Sequence, residues 1–153
     1  DIAMCAFNHD RSKVVFAGAK NPFYLLRNRA VFDEKLLNSE MQIISETDTA
    51  VLLEIKGDRH AIGHSSDDSK PYTNHAIDLL KGDQIYVFTD GYADQFGGPK
   101  GKKFTYRRFR ELLITISNES MYDQKEMLLS EFNQWLKDEE QIDDVLVMSV
   151  KID

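Results

Sequence analysis

A single cysteine, Cys5, stands in 153 residues, so no disulfide can form within the chain. A reducing compartment is therefore expected. Cys5 lies in the apolar run "IAMCAF" with no histidine or basic residue close by, which favours a small buried side chain over a reactive thiol. Basic charge is also short, with 19 Lys and Arg against 26 Asp and Glu, a net charge of -7. That balance excludes a nucleic-acid binder relying on a broadly positive surface. No apolar stretch approaches the roughly 20 residues of a membrane helix, so no membrane contact by this segment is expected. The opening "DIAMCAF" has neither an initiator Met nor the charged and apolar regions of a signal peptide. It reads as a piece cut from something longer.

Other signals are missing too. Four histidines and one cysteine make no convincing zinc set, and His60 and His64, although four apart, flank Gly63 in what reads as a loop. "GGPKGKKFTYRRFR" (97–110) is not a phosphate-binding loop, because no Ser or Thr follows Gly101 and Lys102. Its basic residues include Lys102, Lys103 and Arg107, which read either as a solvated face or as a docking point for an acidic or phosphorylated partner. Asp67 and Asp68, in the polar stretch 64–75, read as exposed loop charges.

What is present is apolar enough, at 42% hydrophobic, for one globular unit over 1–153. "DIAMCAF" and "KVVFAGA" are β-rich runs joined by the polar "NHDRS"; "PFYLLRN", "AVF" and "AVLLEI" follow with turn residues between most of them. Short strands at this spacing predict antiparallel sheets. Gly82 and Asp83 predict a turn before a buried strand over 84–89. After residue 103 the period changes, and Tyr106, Phe109, Leu112, Leu113 and Ile116 predict one helix face, Leu128, Phe132, Trp135 and Leu136 another. Ser120 and Asp123 form a capping-box-like start to the second helix. "DDVLVMSVKID" returns to strand, alternating Val145, Val147 and Ser149 with Leu146, Met148 and Val150. The pattern predicts an α+β domain, antiparallel sheets covered by helices.

The strand over 84–89 ends at Asp90 and Gly91, with Asp94 four residues beyond, and the last strand begins after Asp143 and Asp144. If those strands run antiparallel, two acidic corners meet at one end of the sheet. Carboxylates gathered in this way repel unless protons or cations intervene, and hard divalent ions choose oxygen ligands. Gly91 is expected to give a sharp turn with little bulk. Asp-Gly is equally an ordinary turn pair, and a strand-end aspartate serves as a loop cap more often than as a ligand.

"YVFTDGYADQFGG" (86–98) with "QIDDVLVMSV" (141–150) resembles the metal-dependent PPM (PP2C-type) serine/threonine phosphatases, specifically their SpoIIE/RsbU branch. "VVFAGAKNPFYLLRN" and "LLKGDQIYVFTDG" are similar to two further segments of that branch. The resemblance implies a PP2C-like antiparallel β-sandwich flanked by helices. It implies Asp90 and Asp143 as ligands of one metal, Asp144 in a supporting role, and Asp94 at the position of an additional ion in some relatives. The cofactors implied are two Mn²⁺ or Mg²⁺ ions that activate a water against phosphoserine or phosphothreonine. The resemblance implies as partners a phosphorylated regulatory protein, such as an anti-sigma-factor antagonist in bacterial signalling, and a sensor or regulatory domain upstream in a cytoplasmic or membrane-anchored parent chain. The family's earlier Asp-Gly motif, whose aspartate bridges both ions, is not found in this sequence. The expectation is a C-terminal portion of the domain that alone binds metal weakly and turns over little; the rival is a catalytically inactive binding or regulatory module.

Overall fold

The computed structural model describes residues 1–63 and 70–153, so His64, Asp67 and Asp68 lie outside the described residues. The chain forms two compact units, one made of 1–88 with 148–153 and the other of 89–147.

The first unit carries most of the β-structure. Strands β1 (Ile2–Phe7) and β2 (Lys13–Ala19) form the predicted hairpin, in register from Ile2 opposite Ala19 to Phe7 opposite Val14. The connector closes through Asn8 and Asp10 side chains, whose oxygens accept the Lys13 and Ser12 backbone N–H groups. Strand β3 (Phe23–Asn28) follows, then β4 (Gln42–Glu46), β5 (Ala50–Ile55), β6 (His75–Asp78) and β7 (Gln84–Phe88). One sheet has the order β1-β2-β6; the other has the order β10-β7-β3-β5-β4, where β10 is Val147–Lys151. Strand β3, paired on both edges and buried at five of its six positions, is the spine of the larger sheet. Val14, Phe16, Phe23, Leu25, Val51, Leu53, Ile77 and Ile85 from both sheets form a single apolar core, as alternating inward residues of two facing sheets do.

Three readings of the sequence need correction here. "AVF" is not a strand: Asn28 Oδ1 accepts the Ala30 N–H and starts a 3₁₀ turn over Arg29–Val31. Strands β4 and β6 are additional, and each offers only two strongly apolar residues at most, too few to signal a strand. Cys5 is half-buried on β1 rather than buried, and its burial still pushes the thiol from 9.0 up to about 11.

Asp83 does more than turn the chain. It is fully buried and takes the guanidinium of buried Arg27 through two hydrogen bonds, Nε to Oδ1 at 2.9 Å and the terminal nitrogen to Oδ2 at 2.6 Å. Oδ2 also accepts the Leu80 N–H, and Arg27 donates to Asp78 O, so both charges are surrounded by partners.

The second unit contains α1 (Gly91–Asp94), the two-residue strands β8 (Phe96–Gly97) and β9 (Lys102–Lys103), α2 (Tyr106–Thr115) and α3 (Met121–Leu136). The aromatic stripe read from the helix period is its core: the Tyr92 ring lies 4.9–5.2 Å from those of Phe104, Phe109 and Phe132. On α2, Ile114 is buried and Leu112 only partly so, a small rotation of the predicted face. Ser120 caps α3 by accepting the Asp123 N–H, but the short Asp123 side chain takes the Ser120 hydroxyl instead of reaching back to a backbone N–H. Among the described residues, no helix is long and apolar enough to cross a membrane.

Candidate metal centre

The two acidic corners are held together by Thr89. Its backbone N–H donates to Leu146 O (3.1 Å), its hydroxyl donates to Asp144 O (2.7 Å), and the same oxygen accepts the Leu146 N–H (3.0 Å). With Ile152 N–H donating to Asp83 O (2.9 Å), β7 and β10 pair antiparallel, so the end of one and the start of the other coincide. The strand limits contract by a residue or two against the predicted 84–89 and 145–152, because Thr89 and the residues before Val147 form this clasp instead.

Gly91 supplies the small bulk that was expected of it, but not a special turn conformation. Its backbone does not adopt a left-handed conformation; what it supplies is room. A Cβ there meets Asp144 O at 2.4 Å and the Asp144 carbonyl carbon at 3.0 Å, contacts no side chain can make against rigid backbone. The corner is fixed from its other side by Tyr92, buried and donating its hydroxyl to Leu128 O at 2.7 Å.

Between these anchors, Asp90 occupies the N-cap position of α1 in helical geometry and makes no side-chain capping bond. Its exposed carboxylate is therefore not committed to the loop-cap role. Asp143 Oδ1 accepts the Asp144 N–H at 2.7 Å, which ties one carboxylate oxygen to the backbone of the corner, and Gln141 donates to Asp143 O. Asp94 faces a cation instead: Lys103 Nζ lies 2.9 Å from its Oδ2. Among the described residues, no group of three His, Cys, Asp or Glu side chains is disposed to hold a metal ion. Tested against a hard divalent cation, the donor chemistry fits, since Asp90 and Asp143 offer carboxylate oxygens on corners a Cβ at residue 91 would wedge apart, but these residues make only part of a coordination shell.

Sequence reasoning did not find Thr89, whose clasp depends on a partner 55 residues away. The candidate docking residues are not all free either. Besides Lys103, Arg107 pairs with Glu111 one helical turn on, at 3.0 Å, while Lys102 is exposed beside them.

Comparison with known proteins bears on this arrangement. The chain is similar to the SiaA-PP2C domain of Pseudomonas aeruginosa, at 26% identity and a TM-score of 0.73, over 99% of this chain and 51% of that one. It is also similar in fold to the phosphatase domain of the cell fate determinant SpoIIE from Bacillus subtilis, a manganese-presoaked structure, at 13% identity and a TM-score of 0.52, over 99% of this chain and 56% of that one. No curated protein matches significantly. The α+β architecture, antiparallel sheets with helices following the acidic strand, is thus that of a PP2C-type phosphatase domain. The profile of the family described as Stage II sporulation protein E (SpoIIE) matches residues 2–153, and the chain belongs to that family. It spans about half the length of the solved structures it matches.

Proposed function

We propose that this chain provides part of the active site of a metal-dependent serine/threonine protein phosphatase acting on a phosphorylated regulatory protein in the bacterial cytoplasm, one of the anti-sigma-factor-antagonist type. The observation that carries this reading is the Thr89 clasp, which tethers the Asp90 corner to the Asp143–Asp144 corner through three hydrogen bonds. A loop cap needs no such convergence of two distant acidic turns.

Asp90 and Asp143 would hold the ion, Mn²⁺ or Mg²⁺, with Asp144 in support. When bound, such ions supply Lewis acidity that lowers the pKa of water and neutralises phosphoryl charge. The chain's own contribution is positional: Gly91 keeps the corners close, Thr89 fixes their register, and Tyr92 anchors α1 beneath them. Asp94, already neutralised by Lys103, is a weaker candidate for a further ion. The remaining oxygen donors would come from water, from backbone carbonyls or from residues other than those described, because no third acidic or histidine side chain joins them among the described residues.

That shortfall also favours a second reading, a PP2C-like module that binds without catalysis. One experiment separates the two. Mn²⁺ binding by calorimetry and hydrolysis of a phosphoserine peptide are measured for the wild type, Asp90→Asn and Asp143→Asn, each checked for folding by circular dichroism. The phosphatase reading expects Mn²⁺ binding that both substitutions weaken, with any turnover lost in both. Binding that neither substitution alters refutes the site, and Mn²⁺ binding with no hydrolysis even in a chain extended at its N-terminus supports the module.

A further inference from the structure

We infer that the groove between α2, the β8–β9 hairpin and Trp135 is a docking site for an acidic peptide segment of a protein partner. It is a concavity of about 640 Å³ lined by five cations, Lys100, Lys102, Lys103, Arg107 and Arg108, against one carboxylate, Glu111. This concentration of positive charge sits in a chain whose net charge is -7.

Two of those cations are occupied, Lys103 by Asp94 and Arg107 by Glu111. Arg108 is presented differently. Its guanidinium lies 4.4 Å above the Trp135 ring and 6.0 Å from that of Phe104. A cation held over an aromatic face in this way keeps its charge in place, and guanidinium N–H groups can still take both oxygens of a carboxylate. The ring beneath is fixed as well, because Trp135 Nε1 donates to Gln95 O at 3.0 Å and Phe104 packs edge-on at 5.4 Å. Preorganised charge lowers the ordering cost of binding. Exposed Lys102 adds a second cation, and the aromatic wall accepts an apolar side chain between acidic ones.

Charge complementarity selects a peptide over a polynucleotide. A peptide of alternating acidic and apolar residues matches a few cations around an aromatic wall. A phosphodiester carries a charge at every step, about one per 1.7 Å of duplex, and would need a longer run of cations than this groove offers in a chain of net charge -7.

The chain's only tryptophan forms the wall, so its fluorescence reports occupancy. A glutamate-rich peptide containing one leucine, titrated into the whole chain, should shift Trp135 emission saturably. Its affinity should fall at least about tenfold between roughly 0.02 M and 0.15 M salt. Arg108→Glu should weaken it at least about fivefold. Lys102→Glu, which leaves the Arg108–Trp135 stack in place, should weaken it as well, while Lys13→Glu on β2 should not. An absent shift, unchanged affinity in both groove variants, equal weakening by Lys13→Glu, or tighter binding of a single-stranded DNA oligonucleotide would each overturn the proposal. The readout needs neither metal nor turnover, so its failure leaves the phosphatase reading standing, and the converse holds too.

Discussion

Replacing Gly91 with alanine tests whether the two acidic corners are in contact. A Cβ on residue 91 would lie 2.4 Å from Asp144 O, about 0.9 Å inside a normal C···O contact of ~3.3 Å. Because the obstacle is backbone, the corner itself must yield. A retreat of that size stretches the bond from the Thr89 hydroxyl to Asp144 O from 2.7 Å to about 3.6 Å, beyond hydrogen-bond range. Overpacking of this kind costs about 1–3 kcal/mol, and the lost bond, reachable by water, adds about 0.5–1 kcal/mol. At roughly 2–4 °C per kcal/mol for a chain of this size, Gly91→Ala should lower Tm by about 3–16 °C. Differential scanning calorimetry measures this directly, and a Tm within ~1 °C of wild type refutes the close approach. Calorimetric titration with Mn²⁺ provides an independent check. If both corners hold one ion, affinity should drop along with Tm; a destabilised variant with undiminished affinity means the donors do not act together.

Thr89→Val keeps the side-chain volume and removes both hydroxyl bonds of the clasp; partly exposed as they are, their loss should cost about 1–2 kcal/mol in urea denaturation, and a loss below ~0.3 kcal/mol contradicts the clasp. Arg27→Ala should be far more harmful, about 3–5 kcal/mol, because it strands buried Asp83 without its counter-ion; urea unfolding reads this, and a cost under ~1 kcal/mol contradicts the buried pair. Burial raises the Cys5 thiol from 9.0 to about 11, so the folded state holds that proton more tightly than the unfolded one. Its contribution to stability is complete below pH 9.0 and is lost as pH rises through about 11. Iodoacetamide at neutral pH should therefore label Cys5 more slowly than a free cysteine peptide, and equal rates refute the shift.

Much of the fold was written locally. The β1–β2 hairpin, the spine strand and both long helices follow from apolar spacing and turn chemistry that a neighbouring window of residues supplies. What escaped reading depends on partners far along the chain. Gly82-Asp83 reads as a turn and is one, with Gly82 at φ 90°, yet the same aspartate balances Arg27 from 56 residues away. Strands β4 and β6 form because β5 and β2 offer them edges, a reason absent from their own mixed sequences. At the candidate site, the acidic residues were legible as a pattern, while the clasping Thr89 and the diversion of Asp94 and Lys103 into a pair of their own were not.

The clasp has a topological consequence. Because Thr89 bonds to Leu146, the chain between them leaves and returns through one doorway, closed at its threshold. Such an enclosed cassette can change in length at little entropic cost, since closure entropy grows only logarithmically with contour. The stretch between the aspartates, helices and hairpin included, can thus vary in length, while the Thr89–Leu146 closure and the aspartates just inside it keep their spacing.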